Sequence, residues 1–491
     1  MRTIRSIFLG LSFALVLLIS IIVILAYYNK DGLTNYIIDE VNKQLEVKVD
    51  VDEVNLRLFK KFPYASIELN NVVAFTNDYY NKRVLGYNTD TLFRANNLFL
   101  QFHLIDILTK KYRIKTVHFD KANINLFINK QSKVNYNFVK TSKDKSKDTS
   151  SYVLNINELK ITNSKILYCN AAKNIVFDTK IDKTVLKGNF YKDKFDLKLS
   201  ITNYINQLSI KSKIYLKNIS TKFDCNINVD SNKYFVKSAD LAINNCSFNI
   251  SGVIVKNDET EIDLGVVTSD SKIKNFINII PDTLIKKYAK NIIKGDIRIS
   301  TTVKGSFSKN TMPSIISDIS LSKGEYLLNN TKIKSIKFEG AYSNGAQNNS
   351  ITSSIVIDDA YVEINKSNFS GELEIKNFDF PKLKINSKAK LYLNEIPDMF
   401  ENDTIEQMDG TADIKFGYAG DIDKFELYNI FSPSFYCDVM IDNALLKIKN
   451  SKYKLENITG FTSINEDVYI NDLYFEINES DFLLNGLASN M

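Results

Sequence analysis

From about residue 46 to the end of the chain, apolar and polar residues alternate with a period of two, and that period restricts the fold more than any single motif does. Val47, Val49 and Val51 alternate with Lys48, Asp50 and Asp52. Ala122, Ile124, Leu126 and Ile128 alternate with Asn123, Asn125, Phe127 and Asn129, and Phe195, Leu197 and Leu199 with Asp196, Lys198 and Ser200. One face of such a strand packs and the other is wet, as in an antiparallel sheet covered on one side. The 31 Phe and 26 Tyr suit strands, while 17 Gly and 6 Pro in 491 residues give few breaks between compact domains.

The N-terminus has a different character. Residues 7–28 (IFLGLSFALVLLISIIVILAYY) contain no charge, and about 20 apolar residues suffice for a helix to cross a bilayer. Arg2 and Arg5 precede the segment and Tyr27 and Tyr28 end it, which predicts a retained, single-pass anchor with a cytoplasmic N-terminus. A cleaved signal peptide is the rival reading, but the run is long for an h-region of about 7–15 residues. Leu33, Ile37, Val41 and Leu45 recur every fourth residue, one stripe of a short helix over 31–45. The 141–151 stretch (TSKDKSKDTSS) has no apolar residue and reads as a flexible linker. The expected organisation is a tail over 1–6, the anchor over 7–28, a helix-plus-β unit over 29–140, the linker, and a repeating β region over 152–491.

The repeat rests on landmarks in fixed order. Gly295 to Gly305 is matched by Gly410 to Gly420, 115 residues on. Pro313, Ser314 and Asp318 follow the first pair, and Pro433, Ser434 and Asp438 the second. Ile280-Pro281-Asp282 and Ile396-Pro397-Asp398 precede them, in segments 272–294 and 393–408 that read as short helices. Gly252 and Gly486 close two similar segments 234 apart. A period near 115–120 residues indicates stacked supersecondary units.

A flat sheet of this length would expose far more apolar surface than a protein tolerates in water. Units that contact only their neighbours can extend along one axis, and about 30 strands at roughly 4.8 Å would span on the order of 140 Å. The predicted fold is therefore mainly β: a transmembrane helix, then a long, curled antiparallel sheet forming an elongated groove of repeating units, with a few short helices. Candidate lining residues are Ile299 and Val303 in one copy and Ile414, Phe416 and Tyr418 in the other.

The N-terminal 140 residues also carry a resemblance. After the anchor and amphipathic helix comes Leu58-Phe59-Lys60-Lys61-Phe62-Pro63-Tyr64-Ala65-Ser66-Ile67. Ala95–Leu100 runs into Leu104–Leu108, followed by strands over Ile114–Phe119 and Ala122–Ile128 and by Asn135-Tyr136-Asn137. This order resembles the opening of the AsmA family, within the bridge-like, repeating β-groove lipid-transfer proteins. The resemblance implies an inner-membrane anchor, a periplasmic β-groove, membrane phospholipids and envelope proteins as partners, and a part in phospholipid transport to the outer membrane or in its maintenance. Family members often continue where this sequence stops, at Leu487–Met491 immediately after a repeat-type strand, so a shortened groove is expected and its reach to a second membrane is in doubt.

No catalytic constellation is visible. His103 and His118 fall on the polar parity of their strands, without a carboxylate or Cys at ligand spacing, and read as surface residues. Cys169, Cys225, Cys246 and Cys437 form no CxxC pair, which argues against zinc. The last three sit on apolar parities as small hydrophobes. A Cys225–Cys246 disulfide would require that their strands pair and the compartment be oxidising. The net charge of +6 is spread evenly, unlike the patch of a nucleic-acid binder. No phosphate-binding loop or nucleophile elbow is present. The reading is a non-enzymatic lipid carrier without cofactor or metal. Its rivals are a periplasmic scaffold assisting outer-membrane protein assembly and, lower, an anchored hydrolase.

Overall fold

The computed structural model describes residues 48–489 apart from 62–63, 77–79, 81, 104–113, 137–155, 190–192, 270, 278, 280–290, 309–310, 329–330, 398–403 and 423–434. The expected anchor over 7–28, the helix over 31–45, the linker over 141–151 and the landmarks Phe62-Pro63, Leu104–Leu108, Pro281-Asp282 and Pro433-Ser434 lie outside the described residues. Among the described residues no helix is long and apolar enough to cross a membrane.

The chain forms two compact units. The first runs to Ser231 and includes Val236–Asn244. Its strands are β1 (Val49–Asp50), β2 (Glu53–Lys61), β3 (Tyr64–Phe75), β4 (Arg83–Val84), β5 (Tyr87–Asn88), β6 (Thr91–His103), β7 (Ile114–Ile128), β8 (Glu158–Asn170), β9 (Ile175–Lys187), β10 (Lys194–Ile210) and β11 (Lys213–Asp230). Strand β12 (Lys233–Ile243) divides between the units. β1 and β2 both pair with β3, and the order then runs β3–β6–β7–β8–β9–β10–β11. All of these pairings are antiparallel except β7–β8, which is parallel from Thr116↔Glu158 to Ile128↔Asn170. The all-antiparallel expectation fails at this pair. β7 and β8, the strands that flank 141–151, are thus neighbours in the first unit.

The period-two face explains the core. Ala65↔Phe102, Ile67↔Leu100, Leu69↔Leu98 and Leu100↔Val117 are cross-strand partners, and all seven side chains are buried. Val49, Val51, Val54 and Ile156 pack over them. On the opposite face Glu68 is buried and ion-paired with Arg57, and the Asn97 side chain donates to it at 3.1 Å. A second core departs from the simple alternation. Phe127 and Cys169 are fully buried beneath Val84 of the small β4–β5 hairpin. Phe127, on the parity that the alternation assigns to water, is the most buried residue of β7.

The second unit comprises Asn232–Phe235 and the chain from Asn245 onward. Its strands are β13 (Cys246–Lys256), β14 (Thr260–Ser269), β15 (Ser271–Lys272), β16 (Ile292–Phe307), β17 (Ser314–Leu328), β18 (Thr331–Ser343), β19 (Ser354–Ile364), β20 (Ser367–Lys376), β21 (Lys382–Tyr392), β22 (Ile405–Asp421), β23 (Phe435–Ile448), β24 (Lys454–Ile464), β25 (Val468–Ile477) and β26 (Ser480–Ala488). β13 pairs with β14 and β14 with β16; from β16 each strand then pairs antiparallel with the next as far as β26. A one-turn helix (Ile273–Ile277) and a 3-10 turn (Leu393–Glu395) fall in the two segments where the sequence predicts helix. Turns and bulges are made largely by asparagine. Among the described residues, twelve of the twenty-one non-glycine residues with positive φ are Asn, against five glycines, and Asn tolerates that conformation better than other side chains. A chain short of glycine can turn this often for that reason.

Candidate functional site

Cross-strand partners share one face of a sheet, so the register of the second unit shows which side chains lie together. Ile299, Ile319, Gly340, Ile357, Leu373, Ile385 and Tyr418 are successive partners across the seven strands β16–β22. At about 4.8 Å per strand the row measures roughly 29 Å. A parallel row runs Ile297, Leu321, Phe338, Ala360, Gly371, Ser387, Phe416, Cys437, Ile464, Val468 and Ala488, from β16 to β26. Val303 extends the face to Leu264 on β14 and to Ile315 on β17. The residues between these rows, such as Asp263, Lys304, Lys384 and Lys415, belong to the other face.

All five sequence candidates, Ile299, Val303, Ile414, Phe416 and Tyr418, fall on this one face. Four are half-buried: Ile299, Val303, Ile414 and Phe416. Tyr418 is buried; its hydroxyl donates to the Asp421 carbonyl at 2.8 Å and its ring covers Gly420. Phe416 and Phe435 meet edge to face at 5.3 Å. Leu373, Ile385, Ile357 and Phe338 were not singled out in the sequence, although the alternation places each on an apolar parity. What was missing was the register that joins them.

The face is mainly apolar, with Thr301, Ser317 and Ser387 as polar members, and is for the most part half-buried, although Leu321, Leu383 and Tyr418 are buried. At the end near Leu391 and Ala412, Leu393 of the 3-10 turn and Ile396 close a local core. Glu395 fixes that turn: its carboxylate accepts from the Lys366 backbone N–H at 2.9 Å, the Ser367 N–H at 3.1 Å and the Ser367 hydroxyl at 2.7 Å. The opposite face is ionic. Lys304 pairs with Asp263 at 3.0 Å and Lys376 with Glu374 at 2.6 Å. Hydrogen bonds from Lys294 and Lys332, aided by their charge, hold Glu325 below the usual carboxylate range.

The repeated landmarks coincide in register. Asp318 opposes Ser300 on β16, and Asp438 opposes Lys415 on β22; Ile319 opposes Ile299, and Val439 opposes Ile414. The four offsets are 115 on the earlier strand and 120 on the later one. Gly410 has φ +97 at a bulge against β23, where a Cβ would lie 2.5 Å from the Ala444 Cα.

Both histidines and Asp120 have structural partners. His118 stacks on Phe99 at 5.3 Å and its Nε2 meets the Thr162 hydroxyl at 2.8 Å, so it is not the free surface side chain its parity suggested. Thr162 and Asn163 donate to Asp120 at 2.7 and 2.9 Å. Burial pushes the Asp120 carboxyl up, but these two hydrogen bonds, together with the charges of His118 and Lys121, hold the group below its ordinary value. His103 packs edge-on against Tyr64. Cys169, Cys225, Cys246 and Cys437 are free thiols, so the conditional Cys225–Cys246 bridge is not formed. Burial, with the Asp178 charge, pushes the Cys169 thiol up to about 12. No group of three or more His, Cys, Asp or Glu side chains suited to a metal occurs among the described residues.

No protein-family model, no curated protein and no solved structure matches this chain.

Proposed function

We propose that this protein is a non-enzymatic lipid carrier of the AsmA type, anchored in the inner membrane by residues 7–28 with its β region in the periplasm. In this reading it takes part in moving phospholipid to the outer membrane or in maintaining that membrane. The observation that supports the reading is the half-covered apolar face that runs by register from Ile299 to Tyr418 and beyond. An acyl chain laid on such a face leaves water at about 0.8 kcal/mol per CH₂. Ten buried methylenes would contribute about 8 kcal/mol, enough to hold a lipid without covalent chemistry. Headgroups would stay wet at the margin, and sliding along the face would need no ATP site in this chain.

The scaffold reading draws on one observation, the core closed by Leu393 and Ile396 over Leu391 and Ala412. If that closure extended along the face in solution, no lipid would fit. Gentle detergent extraction of the full chain followed by lipid mass spectrometry separates the two. Phospholipid near one or more molecules per chain supports the carrier; lipid at background level supports the scaffold and overturns the carrier.

A further inference from the structure

The polar face of the second unit holds a charge arrangement that the lipid reading does not use. Ser370, Lys388 and Lys415 are successive partners on β20, β21 and β22, with Lys390 two residues beyond Lys388. Lys388 and Lys415 thus oppose each other directly, a position where like charges repel. Other lysines of this face are matched with acids, as in Lys304–Asp263 and Lys376–Glu374. Lys388, Lys390 and Lys415 have no ion-pair or hydrogen-bond partner among the described residues. Asp438, opposite Lys415, is taken by the Ser463 hydroxyl at 2.7 Å, and Asp413, opposite Lys390, forms no ion pair with it.

These lysines line a recess of about 410 Å³ together with Ser370, Met440 and two carboxylates, Asp413 and Asp438. An adjoining recess of about 390 Å³ shares Ser370, Lys388 and Lys415 and is bounded by Asp358, Asp359 and Glu372. The acids are also grouped with their own kind: Asp359 opposes Glu339 across β18–β19. The Tyr436 ring lies over Gly417, where any Cβ would collide with it, and adds an aromatic wall. Asp358, Asp359 and Glu372 on β19 and β20 thus lie to one side of Lys388 and Lys415, with Asp413 on β22 and Asp438 on β23 to the other. β19 and β21 are two strand spacings apart, roughly 10 Å, and side chains reaching in from both sides leave room for a short dipolar molecule.

We propose that this double recess binds a phosphate ester that carries a primary amine. The phosphoryl oxygens sit between the Lys388 and Lys415 ammonium groups, with Lys390 at the margin and the Ser370 hydroxyl as a further donor. Lysine recognises phosphate as a point charge, and charge-assisted hydrogen bonds are the stronger class. The amine points to Asp358 and Asp359, with the face of Tyr436 beside it, a surface that attracts cations. Bound phosphate removes the Lys388–Lys415 repulsion that the free protein sustains. The charged residues of the recess belong to the opposite face from the apolar rows, although Ala389 and Ile414 also border it; binding of a soluble phosphate ester is read independently of lipid binding.

Calorimetric titration of the full chain with phosphoethanolamine, inorganic phosphate and ethanolamine, at low salt, tests it. Saturable binding of phosphoethanolamine, several-fold tighter than that of inorganic phosphate, is expected. K388Q/K415Q should weaken it by roughly tenfold or more through loss of two charge-assisted contacts. D358N/D359N should weaken phosphoethanolamine but leave inorganic phosphate within about twofold, since only the amine contacts are altered. All four positions are exposed, and a melting curve for each variant reports whether it is folded. Flotation with phosphatidylethanolamine vesicles, lost in K388Q/K415Q, would assign the same chemistry to a lipid headgroup; solution binding without flotation would assign it to a free compound. Absence of saturable binding would overturn the proposal. So would equal affinity for phosphate and phosphoethanolamine, or binding unchanged in a folded K388Q/K415Q variant.

Discussion

Glu395 offers a measurable test of how the second unit is held together. Its carboxylate is the shared acceptor for the backbone N–H groups of Lys366 and Ser367 and for the Ser367 hydroxyl, at 2.9, 3.1 and 2.7 Å. The Ser367 oxygen in turn accepts the Tyr392 N–H at 2.9 Å. Ser367 is 0% exposed and Glu395 9%, so water cannot readily replace the carboxylate. Hydrogen bonds to a charged group contribute about 1.5–3 kcal/mol each, and a buried donor left unpaired costs about 1–3 kcal/mol. Lys366 can turn to solvent after truncation, whereas Ser367 cannot. Glu395→Ala should therefore destabilise the unit by about 3–5 kcal/mol. Glu395→Gln, which keeps one acceptor oxygen but presents an amide to the Ser367 donors, should cost about 2–3 kcal/mol. Ser367→Ala removes one side of the same network, so the double variant should fall short of the summed single losses by about 1 kcal/mol or more. Urea unfolding followed by circular dichroism, compared at constant slope, reads each value. A Glu395→Ala loss under about 1 kcal/mol, or additivity within about 0.5 kcal/mol, would refute the reasoning.

Two further outcomes follow from the first unit. Because Asp120 titrates below its ordinary value in the folded protein, its contribution is present above the unfolded pKa near 4 and is lost as pH falls through the folded pKa. Thr162→Val removes a lowering hydrogen bond, so carboxyl NMR should show Asp120 moving up, and the variant's stability deficit should shrink on acidification; a deficit independent of pH would contradict this. Cys169, 0% exposed and with its thiol raised to about 12, should resist a thiol reagent at neutral pH in the native chain and react only on unfolding, since the thiolate is the nucleophile; rapid native labelling at Cys169, mapped by mass spectrometry, would count against its burial.

The strands were legible because the period of two is imposed by one uncovered face. Phe195, Leu197 and Leu199, apolar by alternation, lie opposite the apolar Val229, Ile227 and Cys225. The offset between Ile299 and Ile414 marks equivalent places because the same register recurs on β16 and β22. Phe127 was misjudged for a physical reason: the hairpin carrying Val84 covers the face opposite the main core, and nothing in the alternation of β7 reveals a cover supplied by a distant segment. The parallel β7–β8 pair was equally hidden, because pairing direction depends on the path of the connection and not on the residues of either strand. The opposed Lys388 and Lys415 are 27 residues apart in sequence, and only the β21–β22 register brings them face to face.

The central claim is that one side of the sheet, and not the other, carries acyl chains. Phe416 and Lys415 are neighbours in sequence whose side chains leave β22 on opposite faces. A photoreactive amino acid placed at each position in turn, with illumination of living cells and mass spectrometry of the adducts, compares the two faces directly. Phospholipid adducts at 416 and not at 415 are predicted; adducts at neither position, or equally at both, would contradict the account.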